Sequence, residues 1–170
     1  MPRIALDLNK AEDRKHIKGT WRVADGLVPG EPNEGLTSQI RATPARLADY
    51  DDSKWETCDN VRASRSVGFT FAWYRIIVEI PERIGGAAVA GSRVFFETNI
   101  DNYGEIWING QIDRSTGVII GINAQHRVEL SNPAPGAKYV IACLVVNGPL
   151  AEPRGGIFMR YATLAFESAG

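Results

Sequence analysis

Residues 97–111, ETNIDNYGEIWINGQ, decide how the rest of the chain is read. Five side chains capable of chemistry crowd this stretch: Glu97, Asp101, Tyr103, Glu105 and Trp107. Its period is that of a strand, with Ile106 and Ile108 on one face and Glu105 and Trp107 on the other. Asn109-Gly110 supplies a turn after that strand, because both residues tolerate positive φ. Asp101-Asn102 reads as a second turn ahead of it. Much of the stretch is therefore architecture, and Tyr103, Glu105 and Trp107 are left on one side of a strand for function.

The same signal repeats outward. GFTFAWYRIIVEI (68–80), SRVFFETNI (92–100), GVIIGI (117–122), HRVEL (126–130), KYVIACLVVN (138–147) and IFMRYATLAFE (157–167) are rich in aromatic and β-branched residues. Turn-forming pairs punctuate them. Val94, Phe96 and Thr98 share one face, and KYVIACLVVN is apolar on both, as a central strand covered on each side should be. ERIGGAAVAGS (82–92) reads as a flexible connection. With no helical period between the strands, the class is all-β, a sandwich or barrel. One short helix is expected near the start, where Asn9 and Glu12 have capping-box spacing and the polar run to Lys18 stops at Gly19. TWRVAD (20–25) is a short strand. Residues 26–66 are rich in Gly, Pro, Asp and Ser. A structureless segment that long is unusual, so it is expected to lie over a sheet or shape a site. The expected organisation is one domain over 1–170, with a helical extension over 1–19.

Composition narrows the function classes. Lys and Arg number 19 against 20 Asp and Glu, a net charge of −1, which leaves no electrostatic footprint for nucleic acid or an anionic membrane. No apolar run approaches the roughly 18 residues of a membrane span. The N-terminus has no apolar segment of signal-peptide length, so a cytoplasmic protein is expected. Cys143 lies in an apolar strand, which favours a buried free thiol, and a disulfide to Cys58 stays open.

The order DYDDSKWETCD (49–59), AWYRIIVEIPE (72–82) and SRVFFETNIDNYGEIWINGQ (92–111) resembles the N-terminal sugar-binding domain of glycoside hydrolase family 2. HRVEL, PGAKYVIACLVVN (135–147) and GGIFMRYATL (155–164) match its later strands, so the likeness covers roughly residues 49–167. The WYR strand, NYGEIWING, GIN (121–123) and NGPL (147–150) are also similar to the β-sandwich extension beside gluconolactonase-like propellers. The first resemblance implies a galactose-binding-like jelly roll and carbohydrate binding. In that family further domains follow and a catalytic barrel supplies two carboxylates. The 170 residues read here carry neither, so the resemblance implies no hydrolase site.

The candidate ligand-binding residues are Trp73, Arg75, Tyr103, Glu105, Trp107, Asn123, His126 and Arg160. A carboxylate two residues from an indole suits a sugar, whose C–H face stacks on the ring while its hydroxyls donate to the carboxylate. The competing structural reading has Trp107 covered by the 26–66 segment and Glu105 paired with an arginine. Arg75 or Arg160 is expected to meet Glu97 or Glu105, since an arginine among aromatic residues is costly to bury alone. His16 lies in the surface helix, which leaves His126 as the single proton shuttle. An enzyme reading would use His126 with Glu105 or Asp101 on a lactone or sugar acid. No nucleophile elbow is present. No metal spacing joins the two histidines, and no cofactor is expected beyond a structural calcium at Asp101, which lacks the D-x-D-x-D spacing. The expected function is a non-catalytic domain for a carbohydrate or polyhydroxylated small molecule, alone or beside a separately encoded enzyme. A jelly roll with an exposed edge also admits a homodimer.

Overall fold

The computed structural model describes residues 3–26, 43–148 and 154–168. In chain order its elements are β1 Ile4–Asp7, helix α1 Ala11–His16, β2 Trp21–Asp25, a 3-10 turn Pro44–Arg46, β3 Glu56–Cys58 and β4 Arg65–Val67. Then come β5 Thr70–Glu79, β6 Arg83–Ile84, β7 Ala87–Ala88, β8 Ser92–Ile108, β9 Val118–Glu129, β10 Lys138–Asn147, β11 Gly156–Ile157 and β12 Ala162–Ser168. The fold is all-β with one short helix, a curled antiparallel sheet consistent with a jelly-roll sandwich.

β8 makes the two layers. One of its edges carries β9, while the other is shared in succession by β12 along its first half and β10 along its second. The strand order β1-β12-β8-β10-β5-β2-β3 is thereby divided at β8 and curls on itself. Between the layers lie Trp21, Tyr74, Ile76, Phe96, Ile106 and Phe166, all essentially without exposure. Burial of each contributes about 1.5–3 kcal/mol. β10 sits between β8 and β5, the central position that its two apolar faces call for.

Several expectations change. Asp101-Asn102 is no turn, because β8 continues through it and the ladder to β9 shifts register between Ile100 and Asn102. GVIIGI and HRVEL are one strand, β9, for the same reason. The 82–92 connection contains a small hairpin, β6–β7, closed by Gly85-Gly86. The capping box does not form. Lys10 is the N-cap with no side-chain bond, and Asn9 Oδ1 instead accepts the backbone N–H of Val61 at 2.9 Å. β1 is an addition that four residues of IALD did not announce. The Asn109-Gly110 turn is as expected, with both φ values positive, and Asn109 Oδ1 also accepts the Val140 N–H. Both cysteines are buried and free, and burial pushes both thiols up.

The outer surface around the first half of β8 is ionic. Arg3 and Arg127 each bridge Glu97 and Glu167, and Arg93 forks onto Glu129 at 2.7–2.8 Å. Its charges are paired.

Candidate functional site

The outer surface of the other layer is built differently, and strand register says how. Three rows of side chains cross it. Phe71, Val146, Tyr103 and Ile120 form the first row. Trp73, Leu144, Glu105 and Val118 form the second. Arg22, Arg75, Ala142 and Trp107 form the third. Alternation along β5, β8 and β10 puts all of them on the side away from the main core.

Segment 43–55 lies over part of this face, and Arg75 holds it there. Its guanidinium, 1% exposed, donates to Asp52 Oδ2 at 2.8 Å, to the Leu47 carbonyl at 2.9 Å, to the Tyr50 carbonyl at 3.3 Å and to the Ala45 carbonyl. The neighbouring Arg22 donates to the carbonyls of Ser53 and Trp55. Asp52 lies within 3.7 Å of Arg22 as well, so one carboxylate faces two arginines. Tyr50 and Trp55 pack ring to ring at 5.5 Å above a small cluster of Ala45, Phe71, Trp73, Ala142 and Leu144. The DYDDSKW and WYR stretches are thus the two halves of one contact. Arg75 meets neither Glu97 nor Glu105, contrary to expectation. The reason is that Asp52 and three carbonyls offer a buried guanidinium more acceptors than one strand carboxylate can.

Glu105 lies at the margin of the covered area. It is 9% exposed, and it accepts the Tyr103 hydroxyl at 2.7 Å and the Trp107 indole N–H at 2.9 Å. Among the described residues no cation stands at ion-pair distance from it, so the expected arginine partner is not found. Arg46, from the covering segment, lies over the Trp107 ring with its guanidinium carbon 5.7 Å from the centroid. Burial, and then the bond to Glu105, pushes the Tyr103 phenol up to about 12. Tyr103 and Trp107 are half-buried, and beside them Ile120 and Ile122 of β9 are 74% and 79% exposed. In the same row as Glu105, the Trp73 indole N–H is buried without a partner.

The remaining candidates lie elsewhere. His126 pairs with Thr98, seven residues along β8 from Glu105, which is roughly 20 Å, and on the opposite face of the strand. The two do not converge on one substrate atom. Asp101 accepts a bond from the Asn102 amide at 2.8 Å. No group of three or more His, Cys, Asp or Glu side chains suited to a metal occurs among the described residues. Arg160 donates to Asn123 and lies over Phe158, so it too misses the glutamates. Asn123 in turn accepts the Asn99 amide through its backbone carbonyl at 2.7 Å. The structure therefore brings together Trp73, Arg75, Tyr103, Glu105 and Trp107, and leaves Asn123, His126 and Arg160 apart. The residues missed were Asp52, Tyr50 and Trp55; the need for a partner to Arg75 was the signal, and its search stopped at the strand glutamates.

Two open clefts, of about 650 and 350 Å³, lie at one end of the sandwich near Asp113, Glu129 and Ser131. No candidate residue lines either. Size favours the larger cleft, but Arg93, Arg127 and Glu129 in its wall are committed to ion pairs with one another or with Glu97 and Glu167. The Glu105 carboxylate, by contrast, has no described cation at ion-pair distance and holds only the Tyr103 and Trp107 donors.

No protein-family model matches the sequence, and no curated protein matches it. Solved structures do match in fold. A Faecalibacterium prausnitzii β-glucuronidase is 14% identical, with a TM-score of 0.65 over 98% of this chain and 32% of that one. A β-glucuronidase from glycoside hydrolase family 2 is 17% identical, with a TM-score of 0.61 over 98% and 18%. A putative β-galactosidase from Bacteroides fragilis is 18% identical, with a TM-score of 0.58 over 99% and 24%. The chain spans no more than a third of the length of these proteins. At such identities the likeness is one of fold, and it is the fold that the sequence resemblance implied. No helix among the described residues is long and apolar enough to cross a membrane.

Proposed function

We propose that this domain binds a carbohydrate or similar polyhydroxylated small molecule without acting on it, at the face around Glu105. The carrying observation is a carboxylate that is 9% exposed, fixed by Tyr103 and Trp107, and paired with no cation among the described residues. Two donors leave lone pairs on its oxygens, and a hydroxyl that donates to a charged acceptor is worth about 1.5–3 kcal/mol. The Tyr103 ring and the side chains of Val118 and Ile120 beside it offer an apolar wall for the C–H face of a sugar. The occurrence of like folds within glycoside hydrolases supports this choice of ligand class. The separation of His126 from Glu105 speaks against the acid–base enzyme. Calorimetric titration of the folded chain with a panel of sugars and aldonolactones tests the proposal. Saturable heat that is lost in Glu105→Gln is expected, and silence across the panel at millimolar concentration sinks it.

A further inference from the structure

The covering segment does more than shield Arg75, because it also delivers a cation to the edge of the Glu105 group. We propose that this cation, Arg46, is a second binding residue of the site, set across Trp107 from Glu105 so that two neighbouring hydroxyls of one sugar ring bridge guanidinium and carboxylate. The inference rests on the sugar reading and deepens it, since it names a vicinal diol as the element recognised.

Arg46 stands on a firmly held piece of backbone. It ends the 3-10 turn Pro44–Arg46, and its neighbours on both sides, Ala45 and Leu47, give their carbonyls to Arg75 Nη1. The segment also rests on the turn that follows β8. A side chain added at Gly110 would meet Ala48 N at 3.4 Å and Leu47 Cα at 3.5 Å. Segment 43–55 therefore touches the end of the site's own strand twice, at Gly110 and at the Trp107 ring, which lies 5.7 Å from the Arg46 guanidinium carbon.

The bonding of that guanidinium is incomplete. Of its five N–H groups, one donates to the Thr43 carbonyl at 2.6 Å, within its own turn. The other four have no described acceptor, no described carboxylate lies at ion-pair distance, and the side chain is half-buried rather than enclosed. Glu105 has the opposite deficit, lone pairs without a cation. The other cation felt at this group, Arg114, is exposed and acts on Tyr103 through charge alone.

The separation of the two poles selects what can join them. The Trp107 N–H reaches Glu105 in the plane of its ring, while Arg46 stands over that ring. Together these contacts set the guanidinium carbon on the order of 8 Å from the carboxylate oxygen, beyond any direct ion pair. A single bridging hydroxyl spans at most about 7 Å between such groups, whereas two adjacent hydroxyls span up to about 10 Å. A hydroxyl both donates and accepts, so the pair runs without conflict from the Glu105 acceptor to the Arg46 donor. The planar fork of arginine suits two adjacent oxygens, which the point charge of lysine does not.

Calorimetry of the full chain with D-glucose, D-galactose, D-mannose and the corresponding lactones, together with monodeoxy forms of those that bind, tests the inference. Arg46→Ala should weaken binding about tenfold, and Arg46→Lys should recover only part of it. The urea midpoint of both variants should stay close to wild type, because the Arg75 anchor is untouched. One monodeoxy form should lose a similar factor against wild type and bind Arg46→Ala no more weakly than its parent sugar does, since the partner of the missing hydroxyl is already gone. Heat lost in Glu105→Gln but unchanged in Arg46→Ala overturns this inference and leaves the sugar reading standing. Equal monodeoxy losses in wild type and Arg46→Ala overturn it as well, as they would make Arg46 a structural residue. Silence of the wild type toward every probe removes the sugar reading and this inference with it.

Discussion

The outer face of the β5–β10–β8 layer is one surface with two fates. Over Arg75 and Ala142 it is strapped, with segment 43–55 held down by a buried guanidinium and covering a small aromatic cluster. Over Tyr103, Glu105 and Ile120 it is open, with a carboxylate lacking any described cation and isoleucines facing solvent. Both halves carry arginine or glutamate among aromatic residues at strand spacing. What separates them is whether the charge has been matched. In the strapped half the buried guanidinium is matched by Asp52 and three backbone carbonyls, so substitution there should cost stability. In the open half the matching is incomplete, so substitution should cost recognition.

The largest effect tests the strap. Arg75→Ala leaves Asp52 and three backbone carbonyls without their donor, and should destabilise the fold by about 3–5 kcal/mol in urea unfolding. A loss under 1 kcal/mol would dissolve the distinction between the halves. Asp52→Asn keeps the carbonyl contacts and removes only the charge, for a smaller loss of about 1–3 kcal/mol.

On the open side, Glu105→Gln is nearly isosteric. Its amide can accept from Trp107 and donate to the Tyr103 oxygen, so the unfolding midpoint should barely move. Affinity for a bound sugar should fall about tenfold to a hundredfold, the worth of a charge-assisted bond. Equal losses of stability and affinity would mean that Glu105 belongs with the strap.

The smallest effect concerns Tyr103, whose folded-state phenol is raised from 10 to about 12. A raised acid favours folding while it stays protonated. Its contribution is therefore whole below about pH 10 and is lost as pH climbs through about 12. Other buried tyrosines behave alike, so the readout is the difference between wild type and Tyr103→Phe in alkaline unfolding. That difference should be constant below about pH 10 and shrink as pH rises toward about 12.

Periodicity carried the fold well, because strands announce themselves by alternation and turns by Asn-Gly. It failed at Asp101-Asn102, where residues that favour turns lie inside a long strand, at the step between its pairing with β12 and its pairing with β10 and beside the register shift to β9. Residues 27–42 of the long loop lie outside the described structure. On β8 the site group of Tyr103, Glu105 and Trp107 was legible as a face. Which arginine meets which acid was not, since Asp52 and Arg75 are 23 positions apart and nothing periodic links them. The exposure of Ile120 and Ile122 was equally hidden, because an apolar run reads alike on an edge and in a core.

The chain's four tryptophans offer the most direct test of the Glu105 face. Only the Trp107 indole N–H donates to that carboxylate, while the Trp21 indole donates to the Leu8 carbonyl inside the core. In an NMR titration with a sugar that binds, the Trp107 indole resonance should move in proportion to occupancy, with those of Trp21 and Trp55 unmoved. A saturating ligand that leaves the Trp107 signal in place would put the binding site elsewhere and contradict the account.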